Sequence, residues 1–451
     1  MGADIYMKLI RILKQLYFRS GWHDVYNFKE EGAKARSALL LATIMQAAVG
    51  GLSGGIFYTG LLVGYGINIV NISIIKVVPY IASLASLFTP YILERFQKRK
   101  TILTAARIGY YVINILGITL LPQLVHSDSG RIFGLVVIVF ASHLVNFLFT
   151  SGYSAWHMPY IKPQVRNAYF TSTTMVSNLS SSIVLIVASI VTDRLQGDAQ
   201  LNLIIVLRYV SFAVALLDVY FLQVPKEPVY QVTSSKPNLL DIIRLPISNK
   251  KFFLTEVIYG LYCLIGNVAS SVLNTWLLED VHSSYLYINI INALYLFFIL
   301  GTSKLWSRFS QKHGTFNSLA LVLLLFVPTY VLWGFVNAGN YIWLMTIVRL
   351  SQHCLGMLQT FAANNLIYVN MPEADQTNYI SFHTIMGNLC VFAGMMIGTT
   401  LVAAMGTNTW SFFGYPISSV PTLLMIQGIG WGLLGLFVLA IRKKVEPDKV
   451  R

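Results

Sequence analysis

QVPKEPVYQVTSSKPNLLDIIRLPISNKK, residues 223–251, is the one long polar stretch inside a chain of 451 residues. It has three prolines before Leu239, a Ser234-Ser235 pair and five basic residues, the composition of a linker. Apolar segments flank it on both sides. Those before it span roughly 37–62, 69–93, 101–122, 131–156, 168–192 and 200–222. Those after it span roughly 252–276, 284–303, 316–336, 341–368, 378–404 and 420–441. Each is about the 20 residues that a helix needs to cross a bilayer. The linker therefore divides twelve expected transmembrane helices six and six. The fold expected is all-α and membrane-integral, with two six-helix, pseudo-symmetric halves at 37–222 and 252–441. Segments 1–36 and 442–451 are the expected cytoplasmic ends.

Composition and charge support this reading. The chain is 55% hydrophobic and only 11% charged, more apolar surface than a soluble protein can hide. Of its 32 Lys and Arg residues, 26 fall in the termini and the alternate connections that share one side. Arg131 and Arg194 lie near the other side, and Lys76, Arg107, Arg208 and Arg349 lie inside apolar segments. By the positive-inside rule both termini face the cytoplasm. The same bias accounts for the net charge of +14 without nucleic acid as a partner. A multi-pass protein of the cell (plasma) membrane, monomeric among its lipids, is expected. Residues 1–36 lack the apolar core of a cleavable signal peptide. Ile5, Leu9, Ile12, Leu13 and Leu16 recur at helical spacing there, which suits an interfacial helix or a solvated basic tail. Cys263, Cys354 and Cys390 all lie within apolar segments and suggest packing rather than disulfides.

The halves echo each other. A shift of 210 residues superposes His143 on His353, Leu148 on Leu358, Thr150 on Thr360 and Tyr169 on Tyr379. It also superposes Thr174 on Thr384, Asn178 on Asn388 and Leu179 on Leu389. A second echo joins PYILERFQKRK (90–100) to SKLWSRFSQK (303–312). Here the chain resembles the major facilitator superfamily of bacterial type, whose signature loop runs Gly-x-x-x-Asp-Arg-x-Gly-Arg-Arg. Glu94 and Arg95 match its acidic-basic pair, and Lys98 and Arg99 match its basic run. Pro90 and Gln97 replace its glycines, Ser307 replaces the acid of the second copy, and only Arg308 and Lys312 stand there. Glu94, Arg95, Lys98, Arg99, Arg308 and Lys312 could latch the cytoplasmic side, or could only set topology. The resemblance implies transport by alternating access, with helices 1, 4, 7 and 10 lining the cavity.

Ionisable groups inside spanning helices are costly and point to function. Arg349 and His353 stand four apart on helix 10, with His143 and Asn146 at matching depth on helix 4. Lys76 lies early in helix 2, close enough to an end to snorkel. Thr43, Gln46, Gly50, Ser53 and Phe57 form one face of helix 1. Glu256, Gly260, Cys263, Asn267, Ser271 and Asn274 form one face of helix 7. Such stripes face a cavity or pack against a neighbouring helix. Asn178 and Asn388 either line the cavity or bond between halves. The expected binding set is Gln46, Lys76, His143, Asn146, Asn178, Asn267, Asn274, Arg349, His353 and Asn388.

More cations than acids reach inward, so a small polar or anionic organic solute is expected as cargo. Export of hydrophobic drugs is the alternative. A membrane-embedded transferase, or a sensor that transports nothing, would be a different class. No cofactor, metal or catalytic residue is expected, and the chain is not expected to be an enzyme. Proton coupling would have to run through His143, His353 or Glu256.

Overall fold

The computed structural model describes residues 25–26, 30–93, 96, 98–227, 239–372, 375–412 and 414–445. Most of the segment 1–36, the Glu94–Arg95 pair and the last residues of the tail lie outside these. We number the long helices α1 to α12. In the first half, α1 runs Glu31–Ser53 and continues as Gly55–Gly64. α2 runs Ile69–Ala82 and tightens through Ser83–Phe88 into Thr89–Leu93. α3 is Lys100–Tyr111, a π-helical turn Val112–Gly117, then Ile118–Leu124. α4 is Asp128–His157, α5 Pro163–Thr192 and α6 Gly197–Leu222.

In the second half, α7 comes in two pieces, Lys250–Asn267 and Leu273–Glu279. α8 is Tyr285–His313, α9 Thr315–Trp333, α10 Tyr341–Val369, α11 Gln376–Met405 and α12 Ser419–Val445. A two-stranded hairpin, β1 Trp410–Phe412 with β2 Tyr415–Ile417, joins α11 to α12. The stretch 223–251 is not wholly open linker, because Leu239–Ser248 is a short helix packed on α7 and α11.

Among the described residues nine helices are long and apolar enough to cross a membrane, and α8, bent by 54° at Gly301, makes a tenth. α7 and α10 fall short. α7 is broken, and α10 carries Arg349, Gln352, His353 and Gln359. Polar residues lower the apparent apolarity of helices that face protein or water rather than lipid.

The packing repeats six helices on. α1 packs on α5 and α6, as α7 packs on α11 and α12. α4 packs on α2 and α3, as α10 packs on α8 and α9. The halves meet chiefly through α2 against α11 and α5 against α8. α11 approaches α7 closely because Gly394 and Gly398 present no Cβ, which would collide with the carbonyls of Leu264 and Val268. Gly398→Ala should therefore lower stability by about 1–3 kcal/mol, read as a falling melting temperature of the purified protein. An unchanged melting temperature would show that this approach is not tight.

The first helix of each half is broken, and in each break a cation from a neighbouring helix takes a freed carbonyl. α1 breaks at Gly54, and Gly55 follows with φ +52°. Arg208 of α6 donates from Nη1 to the Ser53 carbonyl at 2.7 Å. Its Nη2 donates to the carbonyls of Asn114 at 2.9 Å and Ile115 at 3.4 Å, within the π turn of α3. Its Nε donates to Thr119 Oγ1 at 2.6 Å. In α7 the break is at 268–272, where Lys76 Nζ of α2 donates to the Ser271 carbonyl at 3.3 Å. Carbonyls freed inside a membrane must find donors, and cations suit the negative ends of helices.

The faces of the molecule differ. One face carries the basic connections, and among the described residues it holds the ion pairs Glu31–Lys226 at 2.7 Å and Glu30–Lys162 at 3.2 Å. Glu31 also raises the Lys226 ammonium above the usual lysine range. Toward the opposite face one apolar core draws on both halves, from Leu52, Ile72 and Ile204 to Trp276, Trp333 and Leu424. Toward the basic face two buried clusters are each confined to one half. One holds Leu93, Leu103, Trp156 and Leu222 of the first half, another Phe316, Leu358 and Val438 of the second. A smaller one, Phe252, Tyr379 and Phe382, also takes Leu87 of α2.

Polar contacts close the opposite face. Asp193, after α5, accepts the backbone N–H groups of Tyr285 at 2.9 Å and Leu286 at 2.7 Å, capping α8 from the other half. Asn289 Nδ2 donates to Ser189 Oγ at 2.8 Å, and Tyr285 stacks on Phe57 at 5.4 Å. Removing a cap costs about 0.5–2 kcal/mol. Asp193→Ala should thus shift the balance several-fold toward opening of this face. Spin labels at Gln196 and Ala338, both exposed, should report a longer distance. An unaltered distance distribution would show that Asp193 does not hold the closure.

Candidate functional site: a cavity between the two halves

A cavity of ≈ 380 Å³ lies where both helix breaks meet α2, α3, α4 and α11. α1 contributes Gly50, Ser53 and Tyr58; α2 contributes Lys76 and Tyr80; α3 contributes Tyr110 and Asn114. His143 comes from α4, Ser270 and Asn274 from α7, and Met395 from α11. Lys76 is half-buried, and the Ser271 carbonyl is its one hydrogen-bond partner among the described residues. Asn114 Nδ2 donates to Ser142 Oγ at 3.2 Å. Tyr58 Oη and His143 Nδ1 are buried with no hydrogen-bond partner among the described residues. Each such atom costs about 1–3 kcal/mol unless something pairs with it. Two of them beside an ammonium with no carboxylate neighbour describe a cavity suited to a polar, negatively charged guest.

A second cavity, ≈ 290 Å³, lies within the first half, one turn closer to the basic face along the same helices. Thr43 and Gln46 of α1, Asn146, Thr150 and His157 of α4, and Arg107 of α3 line it. Arg107 Nε donates to Asp218 Oδ2 at 2.9 Å, and Tyr111 Oη donates to the same oxygen at 2.6 Å. The pair is buried and mutually neutralised, and the Arg107 guanidinium lies 5.1 Å from the Tyr111 ring and 5.5 Å from the Tyr153 ring. Gln46→Gly50 and Asn146→His143 are single-turn steps, so the two cavities form stacked compartments.

The expected site residues divide accordingly. Lys76, His143 and Asn274 come together in the central cavity, and Gln46 and Asn146 in the compartment beside it. Five others lie outside both linings. Arg349 sits with its guanidinium 5.4 Å from the Trp333 ring of α9, its Nε buried and unpaired. His353 Nε2 bonds to the Ile291 carbonyl of α8 at 2.9 Å, a contact between helices. Asn267 turns its amide back onto the Cys263 carbonyl of its own helix at 2.8 Å. Asn178 is exposed on α5 and Asn388 half-buried on α11, and neither lines a cavity described above.

The helix 7 stripe faces α11 more than the cavity. Glu256 is fully buried, with His383 Nδ1 of α11 at 2.9 Å and the Tyr259 ring stacked on His383 at 3.7 Å. Ser271 Oγ meets Thr399 Oγ1 of α11 at 3.3 Å, and only past the break does Asn274 reach the cavity. On helix 1 the stripe holds as far as Ser53 and then fails. Phe57 is buried against Tyr285, and Tyr58 takes the cavity position because the break at Gly54 turns the helix.

Of the expected latch residues, Glu94 and Arg95 lie outside the described residues. Lys98, Arg308 and Lys312 are exposed, while Arg99 is buried with Nε donating to the Phe96 carbonyl at 3.0 Å. The acid at this end of α3 is Glu227, which accepts the backbone N–H groups of Arg99 and Lys100. Tyr58, Tyr80, Tyr110, Asn114 and the Arg107–Asp218 pair were not expected from the sequence. The Gly54-Gly55 doublet was the available sign of the α1 break, and Arg107 stood out as a charge in an apolar segment.

Repeated six-helix packing around a polar cavity between the halves is the fold of the major facilitator transporters. The chain is similar over 90% of its length to the nucleoside transporter NupG, covering 99% of that chain with a TM-score of 0.66 at 14% identity. It is similar over 94% of its length to a bacterial homologue of the human lysosomal transporter Spinster, solved in an inward-facing, unoccupied conformation (TM-score 0.64, 11% identity, all of that chain). It is similar over 93% of its length to the POT family transporter PepTSo (TM-score 0.64, 10% identity, 99% of that chain). No family model matches the chain, and no curated protein matches it in sequence. At these identities the likeness shows the fold.

Proposed function

We propose that the protein is a secondary transporter that moves a small anionic organic solute across the plasma membrane by alternating access. The observation that carries this reading is the central cavity. It lies between the halves, at both helix breaks, and holds Lys76 with the unpaired Tyr58 Oη and His143 Nδ1. An ammonium kept in a low-dielectric interior without a carboxylate attracts a negative guest strongly. By the positive-inside rule the basic face is cytoplasmic, as are both termini. The larger apolar core shared at the opposite face, against mostly separate ones at the basic face, favours a cavity reached from the cytoplasm.

In this reading the solute enters past Gln46 and Asn146, and Lys76 holds its negative group. The halves then rock about the cavity, closing between the basic ends of the helices and breaking the Asp193 cap at the other face. The protein acts as a monomer, because one chain contains the whole cavity.

The test is exchange of radiolabelled organic anions by purified protein in liposomes. Saturable exchange of an anion, unchanged in chemistry, is the expected result. Exchange confined to neutral or cationic solutes would overturn the reading.

A further inference from the structure

The central cavity has an uneven chemistry. Its charge and its unpaired polar atoms are few, while three of its walls are aromatic. Tyr58, Tyr80 and Tyr110 come from three different helices, and the His143 ring stands edge-on to Tyr110 at 5.8 Å. Tyr80 and Tyr110 are half-buried, so part of each ring remains open. Arg208 lies 5.9 Å from the Tyr58 ring, so that wall is fixed in place. The volume, ≈ 380 Å³, is near the lower end of the range of about 300–1,000 Å³ usual for small-molecule sites. It has room for one or two rings.

We infer that the solute is an aromatic carboxylic acid, its ring held among Tyr58, Tyr80 and Tyr110 and its carboxylate on Lys76. The inference rests on the transporter reading above and specifies its cargo. Ring edges and faces attract one another through their quadrupoles, beyond the gain from burying area. A lysine ammonium is a point charge with three donors, sufficient for a single carboxylate. A richly hydroxylated solute would need polar partners on every side. Here the Asn114 amide is already engaged with Ser142, and the Ser53 and Ser270 hydroxyls donate to backbone carbonyls of their own helices, which leaves Asn274 and the tyrosine hydroxyls as the polar groups among the aromatic walls.

Three probes separate ring from charge: benzoate, cyclohexanecarboxylate and benzamide. Each is tested for binding by thermal shift and for exchange in liposomes. Benzoate should bind about two- to tenfold more tightly than cyclohexanecarboxylate, and benzamide should not be exchanged. Tyr80→Leu should abolish the preference for benzoate, and Tyr80→Phe, which keeps the ring, should retain it. Equal affinity for the two acids in the parent protein would overturn the aromatic inference and leave the transport of anions standing. Preference intact in Tyr80→Leu and in Tyr110→Leu would also overturn it. Exchange of benzamide but of neither acid would overturn both readings.

Discussion

Lys76→Met should lower anion exchange by at least about 30-fold while the protein still folds and inserts. Losing one partner of a desolvated, hydrogen-bonded charge pair typically costs about 2–5 kcal/mol. Methionine keeps much of the apolar stem, so packing along α2 changes little. Among the described residues the bond lost without solute is that to the Ser271 carbonyl at 3.3 Å, a bond from a charged donor worth about 1.5–3 kcal/mol. The melting temperature of the empty protein should therefore fall only by what that one bond contributes, whereas the stabilisation by added anion should vanish. Lys76→Arg should keep part of the exchange, because charge survives but a planar fork replaces a point charge. Parental exchange by Lys76→Met would falsify the placement of the anion at this residue.

Arg208→Met should have the largest effect on stability. Arg208 is 1% exposed and donates to Thr119 Oγ1 and to the carbonyls of Ser53, Asn114 and Ile115. Those carbonyls are free because α1 breaks at Gly54 and α3 adopts a π turn. Without the guanidinium the Ser53 and Asn114 carbonyls lose this donor, at about 1–3 kcal/mol each, and Thr119 Oγ1 loses its own, while the Ile115 carbonyl keeps the Thr119 hydroxyl. A loss of at least about 3 kcal/mol follows, enough to deplete folded protein in detergent. Arg208→Lys should recover only part of it, since one ammonium cannot reach both the break in α1 and the turn in α3. Both variants are compared by fluorescence-detected size-exclusion after a temperature series. Equal melting of Arg208→Met and the parent would show that other donors serve these carbonyls.

Much of the fold was legible from hydropathy because membrane helices must satisfy their own backbone. The segment read at 131–156 is Asp128–His157, and that read at 420–441 is Ser419–Val445. The site was less legible. Charges inside apolar segments were the sound cue, since Lys76, Arg107, Arg208 and Arg349 all have specific surroundings in the structure. The cue does not say which charge faces a solute. Arg349 stands over Trp333 outside both cavities, while Lys76, close enough to a helix end to snorkel, reaches the central cavity. Helical periodicity shows that Glu256, Cys263 and Ser271 share a face, but it cannot name the neighbour, which is largely α11. The Arg107–Asp218 pair joins residues 111 apart in sequence, beyond any local pattern. Tyrosines were silent because membrane proteins also place them at interfaces.

The two broken helices are fastened unequally, and this has a mechanical consequence. The joint in α1 is riveted: Arg208 grips it and the neighbouring α3 through four acceptors. The joint in α7 is held more lightly, by the Lys76 ammonium on the Ser271 carbonyl and by the Ser271–Thr399 hydroxyl contact to α11. A solute that draws Lys76 toward itself leaves the first half stiff and loosens the hinge of the second. Arrival of cargo would then be felt on one side of the molecule only, with the first half as frame and α7 as the moving lever.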